Sequence, residues 1–299
     1  HDSYRMGALR FKTSPDGDFL DNNDEFSAPP MASLRELEYA TSLVESDSNF
    51  DNESYSKWLN MLMSPGSSLG GARPKACIIE NDKSMWIAKF PSRFDTYDIG
   101  AWEFLVYQLA ISAGIHMAES RIEKFHSSFH TFITKRFDRT PKSRLHFTSA
   151  LTQLGYYDGN YEASYLELAQ FLVEKGSQTK VDLEQLWRRI VFNIAVSNTD
   201  DHLRNHGFIY NKGGWILSPA YDINPVHTGS GLHLNITDLS NQLDYKLALE
   251  IIDFFQLTKL RAEQIKSEVM HSVGMWQQVA NKIGISRSEQ LLMAPAFNV

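Results

Sequence analysis

The chain has 299 residues, 42% of them apolar and 22% charged, which is enough to bury one large core or two and is ordinary for a soluble globular protein. A formal charge of -7 leaves no basic footprint for nucleic acid, and the single cysteine, Cys77, excludes an internal disulfide and fits a reducing, cytoplasmic setting. No apolar run approaches the roughly 18–20 residues that cross a bilayer, and no secretory signal is visible, so no membrane role is expected.

In chain order, "GALRF" is predicted as a strand, followed by a turn at Ser14-Pro15-Asp16-Gly17 and a polar stretch running to Pro29-Pro30. "SLRELEYATSLVES" carries Leu34, Leu37, Ala40 and Leu43 at helical spacing, and "YSKWLNMLM" reads as a second helix. After "SPGSSLGGARPKA" come strands in "ACIIEN" and "DKSMWIAKFPS", a long helix in "DIGAWEFLVYQLAISAGI", and strands in "ESRIEKFHS" and "HTFITKRFD". Beyond Asp138 the texture becomes helical: "YLELAQFLVEKG", "DLEQLWRRIVFNIAVSN", "LALEIIDFFQL" and a helix through "QIKSEVMHSVGMWQQVANKIG". A strand pair, "GFIYNKGGWILSP", interrupts them. The expectation is an α+β enzyme of two lobes, residues 1–137 and 138–299.

The densest polar segment is "SNTDDHLRNHGF", which follows an apolar helix. Asp200 and Asn205 have the D-x-x-x-x-N spacing of a protein-kinase catalytic loop, in which the acid accepts the proton of the attacking hydroxyl and the amide holds a magnesium ion. Asp201 has His206 at the same offset. A polar turn closing a helix is the competing explanation, since Asp and Asn favour turns. The hairpin that follows delivers Asp222, placed as a second magnesium ligand would be. Upstream, Gly70 and Gly71 in "SSLGGARPKA" could bring backbone N–H groups against phosphates, although the stretch matches neither standard phosphate-loop pattern. Lys89 lies among Trp86, Ile87 and Phe90, where a charge needs a partner. Glu103 in the next helix is the candidate, and a lysine guarding a sheet edge is the alternative. His202 and His206 stand four apart, but no H-E-x-x-H pattern surrounds them, so zinc is not expected.

Taken together, "YRMGALRF", "SSLGGARPKA", "WIAKFP", "FITKRFDR", "SNTDDHLRNHGF" and "LSPAYDINP" resemble, in that order, the HipA family of toxin–antitoxin serine/threonine kinases. The resemblance implies a bilobal protein-kinase-like fold with a small β-rich ATP lobe and a larger, mostly helical one. It implies ATP and Mg2+ as cofactors and transfer of the γ-phosphate to a protein serine, with an aminoacyl-tRNA synthetase as substrate, translation inhibited and growth arrested. By motif, Gly70, Gly71, Ala72, Arg73, Pro74 and Lys75 form the phosphate loop and Lys89 is the strand lysine. Lys135, Arg136 and Phe137 fall at the adenine hinge. Asp200 is the catalytic base, and His202, Leu203, Arg204 and Asn205 face nucleotide and metal. Tyr221 and Asp222 form the second metal motif. Ser68, with Ser67 beside it, falls at the site of autophosphorylation.

Members of this family are held in check by a DNA-binding HipB-like antitoxin, so no specific operator binding by this chain alone is expected. Full-length HipA carries an extra N-terminal subdomain before the segment that "GALRF" resembles, and these 299 residues do not include it. The expectation is either a piece of a longer HipA or the shorter HipT type, in which a separate small HipS-like protein supplies that subdomain. The HipT type is associated with tryptophanyl-tRNA synthetase and HipA with glutamyl-tRNA synthetase, and the choice stays open. A small-molecule phosphotransferase of the aminoglycoside-kinase type shares the Asp-to-Asn spacing and is the alternative function.

Overall fold

A computed structural model describes residues 2–20, 28–45, 73–157, 159 and 163–299. The chain divides into two compact units, His1–Phe104 with Ala118–His146, and Leu105–Met117 with Phe147–Val299.

The first unit is built on an antiparallel sheet in the order β1-β2-β4-β3, formed by β1 (Lys75–Ile79), β2 (Met85–Lys89), β3 (Ser120–Glu123) and β4 (Thr131–Lys135). Alternation in β2 buries Trp86 and Ala88 on one face. Helix α1 (Leu34–Val44) sets Leu34, Leu37 and Ala40 against that face, where they join Ala76, Ile78, Phe90 and Ile133 in one cluster. The carboxylate of Glu38, on the same helix, is buried. It accepts hydrogen bonds from the Ser127 amide at 2.6 Å and the Thr131 hydroxyl at 2.5 Å, so it ties α1 to the β3–β4 turn.

The "GALRF" segment is not a strand; its neighbourhood holds only a Lys12–Phe19 bridge. Its first backbone groups find charged side chains: Gly7 N–H donates to Asp138 Oδ2 at 2.7 Å and the Gly7 carbonyl accepts from Arg139 at 3.1 Å. Just before the segment, the Arg136 and Arg139 guanidinium groups donate to the carbonyls of Tyr4 and Arg5 at 2.6 and 2.5 Å. Backbone polarity must be satisfied somewhere, and arginine forks do it here.

Helix α2 (Ile99–Ser112) carries the division between the units. In the second unit, α3 (Tyr165–Lys175) begins with a capping box between Ser164 and Glu167. Helix α4 (Thr179–Ala195) is buried on nearly all sides, with Leu183, Leu186, Trp187, Ile190, Phe192 and Ile194 fully enclosed. It packs against α3, α5 (Tyr245–Glu250), α6 (Lys259–Gly274) and a small sheet. That sheet has the order β5-β6-β7, from β5 (Phe147–Ser149), β6 (Gly207–Asn211) and β7 (Gly214–Leu217). The helix expected to run through "QIKSEVMHSVGMWQQVANKIG" is interrupted at Met275, and α7 (Trp276–Ile283) and α8 (Arg287–Met293) follow. Among the described residues no helix is long and apolar enough to cross a membrane.

Asp182, in the first turn of α4, is 5% exposed and accepts from the Leu217 amide at 3.1 Å, joining the helix to β7. Burial pushes its carboxyl up to about 6 against the weaker pull of Leu217 and Arg189. For an acid with a raised folded-state pKa, ionisation opposes folding. The cost accumulates between the unfolded value near 3.8 and about 6, and is complete above that. Asp182→Asn can keep the bond to Leu217 and is expected to raise Tm at pH 7–8, with the gain shrinking as the pH falls below about 6 and gone near the unfolded value of 3.8. Thermal melts of both proteins across that range would show it, and a pH-independent difference would refute it.

Candidate active site

In the first unit, Lys89 ends β2, an inner strand, so it is not an edge guard. Its ammonium group donates to Glu103 Oε1 at 2.6 Å and lies 5.5 Å from the centre of the Phe132 ring. The two side chains are 13% and 5% exposed. The strand lysine and helix glutamate of the sequence expectation therefore meet. Truncating the lysine alone removes the cation from which the buried Glu103 carboxylate accepts at 2.6 Å, and breaking such a pair costs about 3–5 kcal/mol. Lys89→Met should therefore lower Tm as well as ATP affinity, whereas Lys89→Met with Glu103→Gln should recover Tm without recovering nucleotide binding. Melting curves and ATP titrations of the three proteins test this, and recovered binding in the double variant would show that Lys89 has no nucleotide role.

Lys75 stands directly across from Lys89 in the β1–β2 register. Arg73 pairs with Asp95, and burial lowers its pKa against the pull of nearby acids. The Pro74 carbonyl accepts from the Phe90 amide at 2.9 Å. Gly70, Gly71, Ala72, Ser67 and Ser68 lie outside the described residues. At the expected hinge, the Lys135 amide donates to the Glu119 carbonyl and the Arg136 amide to the Met85 carbonyl, at 2.7 and 2.8 Å. The Arg136 side chain turns inward, its guanidinium on Asp138 at 2.8 Å and near Cys77, while Phe137 follows it out of the sheet. Burial opposes the Arg136 charge, but Asp138 more than offsets this and raises its pKa.

In the second unit, α4 delivers "SNTDDHLRNHGF" at its C-terminal end. Asn298 straps that end. Asn298 Nδ2 donates to the Ile194 carbonyl and to Ser197 Oγ, each at 2.8 Å, and its amide donates to the Ala195 carbonyl at 2.8 Å. Terminal helix carbonyls otherwise lack intrahelical partners, so this strap caps α4 where the loop begins. Ser197 takes a left-handed backbone, φ 48°, which starts the turn.

The adjacent acids then separate. Asp201 is 3% exposed and accepts from Tyr165 Oη at 2.6 Å, Asn193 Nδ2 at 2.7 Å and His206 Nε2 at 2.8 Å. Burial pushes its carboxyl up, but His206, Tyr165 and Arg189 outweigh that and hold it below the ordinary carboxylate range. Asp200 is exposed. Its carbonyl accepts from Asn205 Nδ2 at 3.1 Å and from the His202 amide at 3.0 Å, which fixes the turn beneath it. Leu203 is buried under this turn, and Arg204 points outward. His202 faces His233 edge-on with ring centres 5.7 Å apart, whereas the His206 imidazole is held on Asp201.

Tyr221 Oη donates to the Arg204 carbonyl at 2.7 Å, tying the segment that carries Asp222 to the loop. Arg189, buried in α4, donates to the Ser218 carbonyl at 2.6 Å and holds the start of that segment. Asp222 takes a left-handed backbone at φ 58°, uncommon for a residue with a side chain and more frequent for Asp and Asn than for most. Val226 N–H reaches the Ser197 carbonyl at 3.2 Å, and a Cβ on Gly229 would lie 2.3 Å from Thr199 Cγ2, so only glycine permits this approach. The second unit thus places Asp200, Asn205, Tyr221 and Asp222 on interlocked loops. Asn205, its nitrogen turned to the Asp200 carbonyl, and Asp222 are oxygen donors of the kind magnesium takes alongside phosphate and water, so the residues present fit such an ion.

An antiparallel sheet with its paired lysine, together with a helical unit carrying such a loop, defines a protein-kinase-like fold. The chain belongs to the family of HipA-like C-terminal domains, whose model matches residues 67–288. A stretch of 186 residues is 28% identical to the "Putative kinase Y4dM" of Sinorhizobium fredii, covering 52% of this chain and 44% of that protein. Another, of 180 residues, is 26% identical to a "Putative kinase" of Haemophilus influenzae, covering 52% of each. The match therefore spans about half the length of these relatives. The fold is also that of HipA in the Shewanella oneidensis MR-1 complex of HipA, HipB and operator DNA. The TM-score is 0.59 at 18% identity, over 77% of this chain and 62% of that one.

Proposed function

We propose that this chain is the kinase body of a cytoplasmic toxin–antitoxin serine/threonine kinase that transfers the γ-phosphate of ATP to a protein hydroxyl. The observation that carries the reading is the contrast between the neighbouring acids: Asp201 is enclosed by its three partners, while Asp200 is exposed on a turn anchored by Asn205. A general base must be reachable by the hydroxyl it deprotonates, and Asp200 meets that requirement.

In the proposed reaction a serine hydroxyl gives its proton to the Asp200 carboxylate as its oxygen bonds to the γ-phosphorus, and the bond from that phosphorus to the β-phosphate oxygen breaks, releasing ADP. Lys89, held by Glu103, supplies positive charge to the phosphates. Asn205 and Asp222 would hold the magnesium ion, which when bound neutralises developing charge on the phosphate oxygens. Positioning and electrostatics, not covalent catalysis, carry the rate.

The substrate proposed is an aminoacyl-tRNA synthetase, tryptophanyl or glutamyl, whose modification would inhibit translation. The partner proposed is a HipB-like antitoxin, with a small HipS-like protein as a further candidate. Support for the antitoxin comes from family membership and from the HipA structure with HipB. Ser67 and Ser68 remain the proposed autophosphorylation sites.

Incubation with γ-labelled ATP, magnesium and a bacterial lysate tests the reading. A labelled synthetase band that disappears with Asp200→Ala is expected. Label passing only to small molecules would overturn it in favour of a small-molecule phosphotransferase. Intact mass after the same incubation reports phosphate on the chain itself.

A further inference from the structure

Two residues beyond Asp222, Asn224 has no part in the reaction steps above, yet it is bonded on two sides. Its Nδ2 donates to Asp222 Oδ1 at 3.1 Å, and its backbone N–H donates to Asn198 Oδ1 at 3.2 Å. Asn198 Nδ2 in turn donates to Asn193 Oδ1 at 3.1 Å, and Asn193 Nδ2 donates to Asp201 Oδ2 at 2.7 Å. Asn193 and Asn198 are each 1% exposed.

The sense of every amide in this chain follows from its two ends. A backbone N–H can only donate, so it must meet the oxygen of Asn198, which turns the nitrogen of that amide toward Asn193. The oxygen of Asn193 then accepts, and its nitrogen is left for Asp201, an ionised carboxylate that can only accept. Asn224 must likewise offer nitrogen, not oxygen, to the Asp222 carboxylate. That leaves Asn224 Oδ1 shielded from solvent with no protein donor among the described residues. A buried acceptor without a donor is uncommon and calls for a water or an ion.

We propose that Asn193, Asn198 and Asn224 form an amide relay that positions Asp222 for its cation, with Asn224 as the positioning residue; this rests on the reading of Asp222 as a metal ligand. Magnesium tolerates little departure from octahedral geometry and keeps several waters. Asn224 fixes the rotation of the Asp222 carboxylate through its Oδ1, and the Asn224 oxygen accepts from a water of the ion's shell. The relay's far end is Asp201, which also orients the loop bearing Asp200, so base and metal ligand are set by one continuous network.

The test is Mn2+ binding to the full chain by electron paramagnetic resonance, with a non-hydrolysable ATP analogue present and Tm measured alongside. Asp222→Asn sets the reference for loss of the ligand. Outer partners of metal ligands typically cost about 10–100-fold in affinity when removed. Asn224→Ala and Asn224→Asp are therefore both expected to weaken Mn2+ binding by about tenfold, because each loses the donor to Asp222, and Asn198→Ala is expected to weaken it severalfold. Tm should stay within a few degrees of the parent. Wild-type affinity in the Asn224 variants, with Asp222→Asn deficient, would overturn the relay. Tighter binding by Asn224→Asp would make Asn224 a direct ligand and also overturn it. Unchanged binding by Asp222→Asn would remove the metal reading itself.

Discussion

Asp200→Ala is expected to abolish phosphoryl transfer while leaving Tm and ATP affinity close to those of the parent. Asp201→Ala is expected to unfold the second unit at a much lower temperature. The carboxylate of Asp200 is exposed, so its removal strands nothing. Loss of a positioned general base costs on the order of 10²–10⁴ in rate. Asp201 is different, because Tyr165, Asn193 and His206 all converge on its Oδ2. Removing one member of such a buried network leaves several polar groups unsatisfied, a penalty of about 3–5 kcal/mol where a charge pair is broken. The lowered pKa of Asp201 adds a pH signature: its contribution is present above the unfolded carboxylate value and is lost as the pH falls through the lower folded one. Kinase assays and melts of both variants separate the roles. An active, stable Asp200→Ala protein would remove it as the base, and an inactive protein with normal stability from Asp201→Ala would assign that role to its neighbour.

The paired charges and the loop were legible because their signals are local. Lys89 sits in an apolar strand and Glu103 in the next helix, and a buried lysine requires such a partner. The spacing from Asp200 to Asn205 distinguishes the two acids without any knowledge of the fold. Burial in α4 follows from the apolar run that precedes the loop. Other features depend on tertiary partners. Asn193, Asn198 and Asn224 look like ordinary helix and turn amides, and only the fold shows that they bond head to tail. The alternation in "GALRF" suggests a strand, but it says nothing of Arg136, Arg139 and Asp138, more than a hundred residues away, which hold the Gly7 backbone and the carbonyls just before it. Strand β5 is three residues long, too short for periodicity to register, and it is defined by its pairing with β6. The apolar pattern from α6 into α7 continues across Met275, so the break between the helices is invisible in composition.

Asp222→Asn is the cleanest removal of the proposed metal ligand, for reasons set by the backbone. The residue holds a left-handed conformation at φ 58°, which asparagine tolerates and alanine does not, so Asp222→Ala would mix the loss of a carboxylate with backbone strain of about 1 kcal/mol or more. Asparagine also keeps an oxygen for the Asn224 amide, which donates to Asp222 Oδ1 at 3.1 Å. What it loses is one negative charge, which in the proposed reaction faces a divalent cation. A metal ion supplies several kcal/mol of charge stabilisation in phosphoryl transfer. Each 1.36 kcal/mol is tenfold in rate, so the expected loss is on the order of a hundredfold or more. That loss should be accompanied by a higher magnesium concentration for half-maximal rate, and by a Tm close to that of the parent. A magnesium titration of the residual activity beside the parent enzyme distinguishes the outcomes. A variant with normal magnesium dependence and normal rate would show that Asp222 serves the turn and not the ion. A rate restored fully at high magnesium would show that the carboxylate contributes affinity alone. Failure at every magnesium concentration, in a folded protein, would place the charge of Asp222 in the transition state itself.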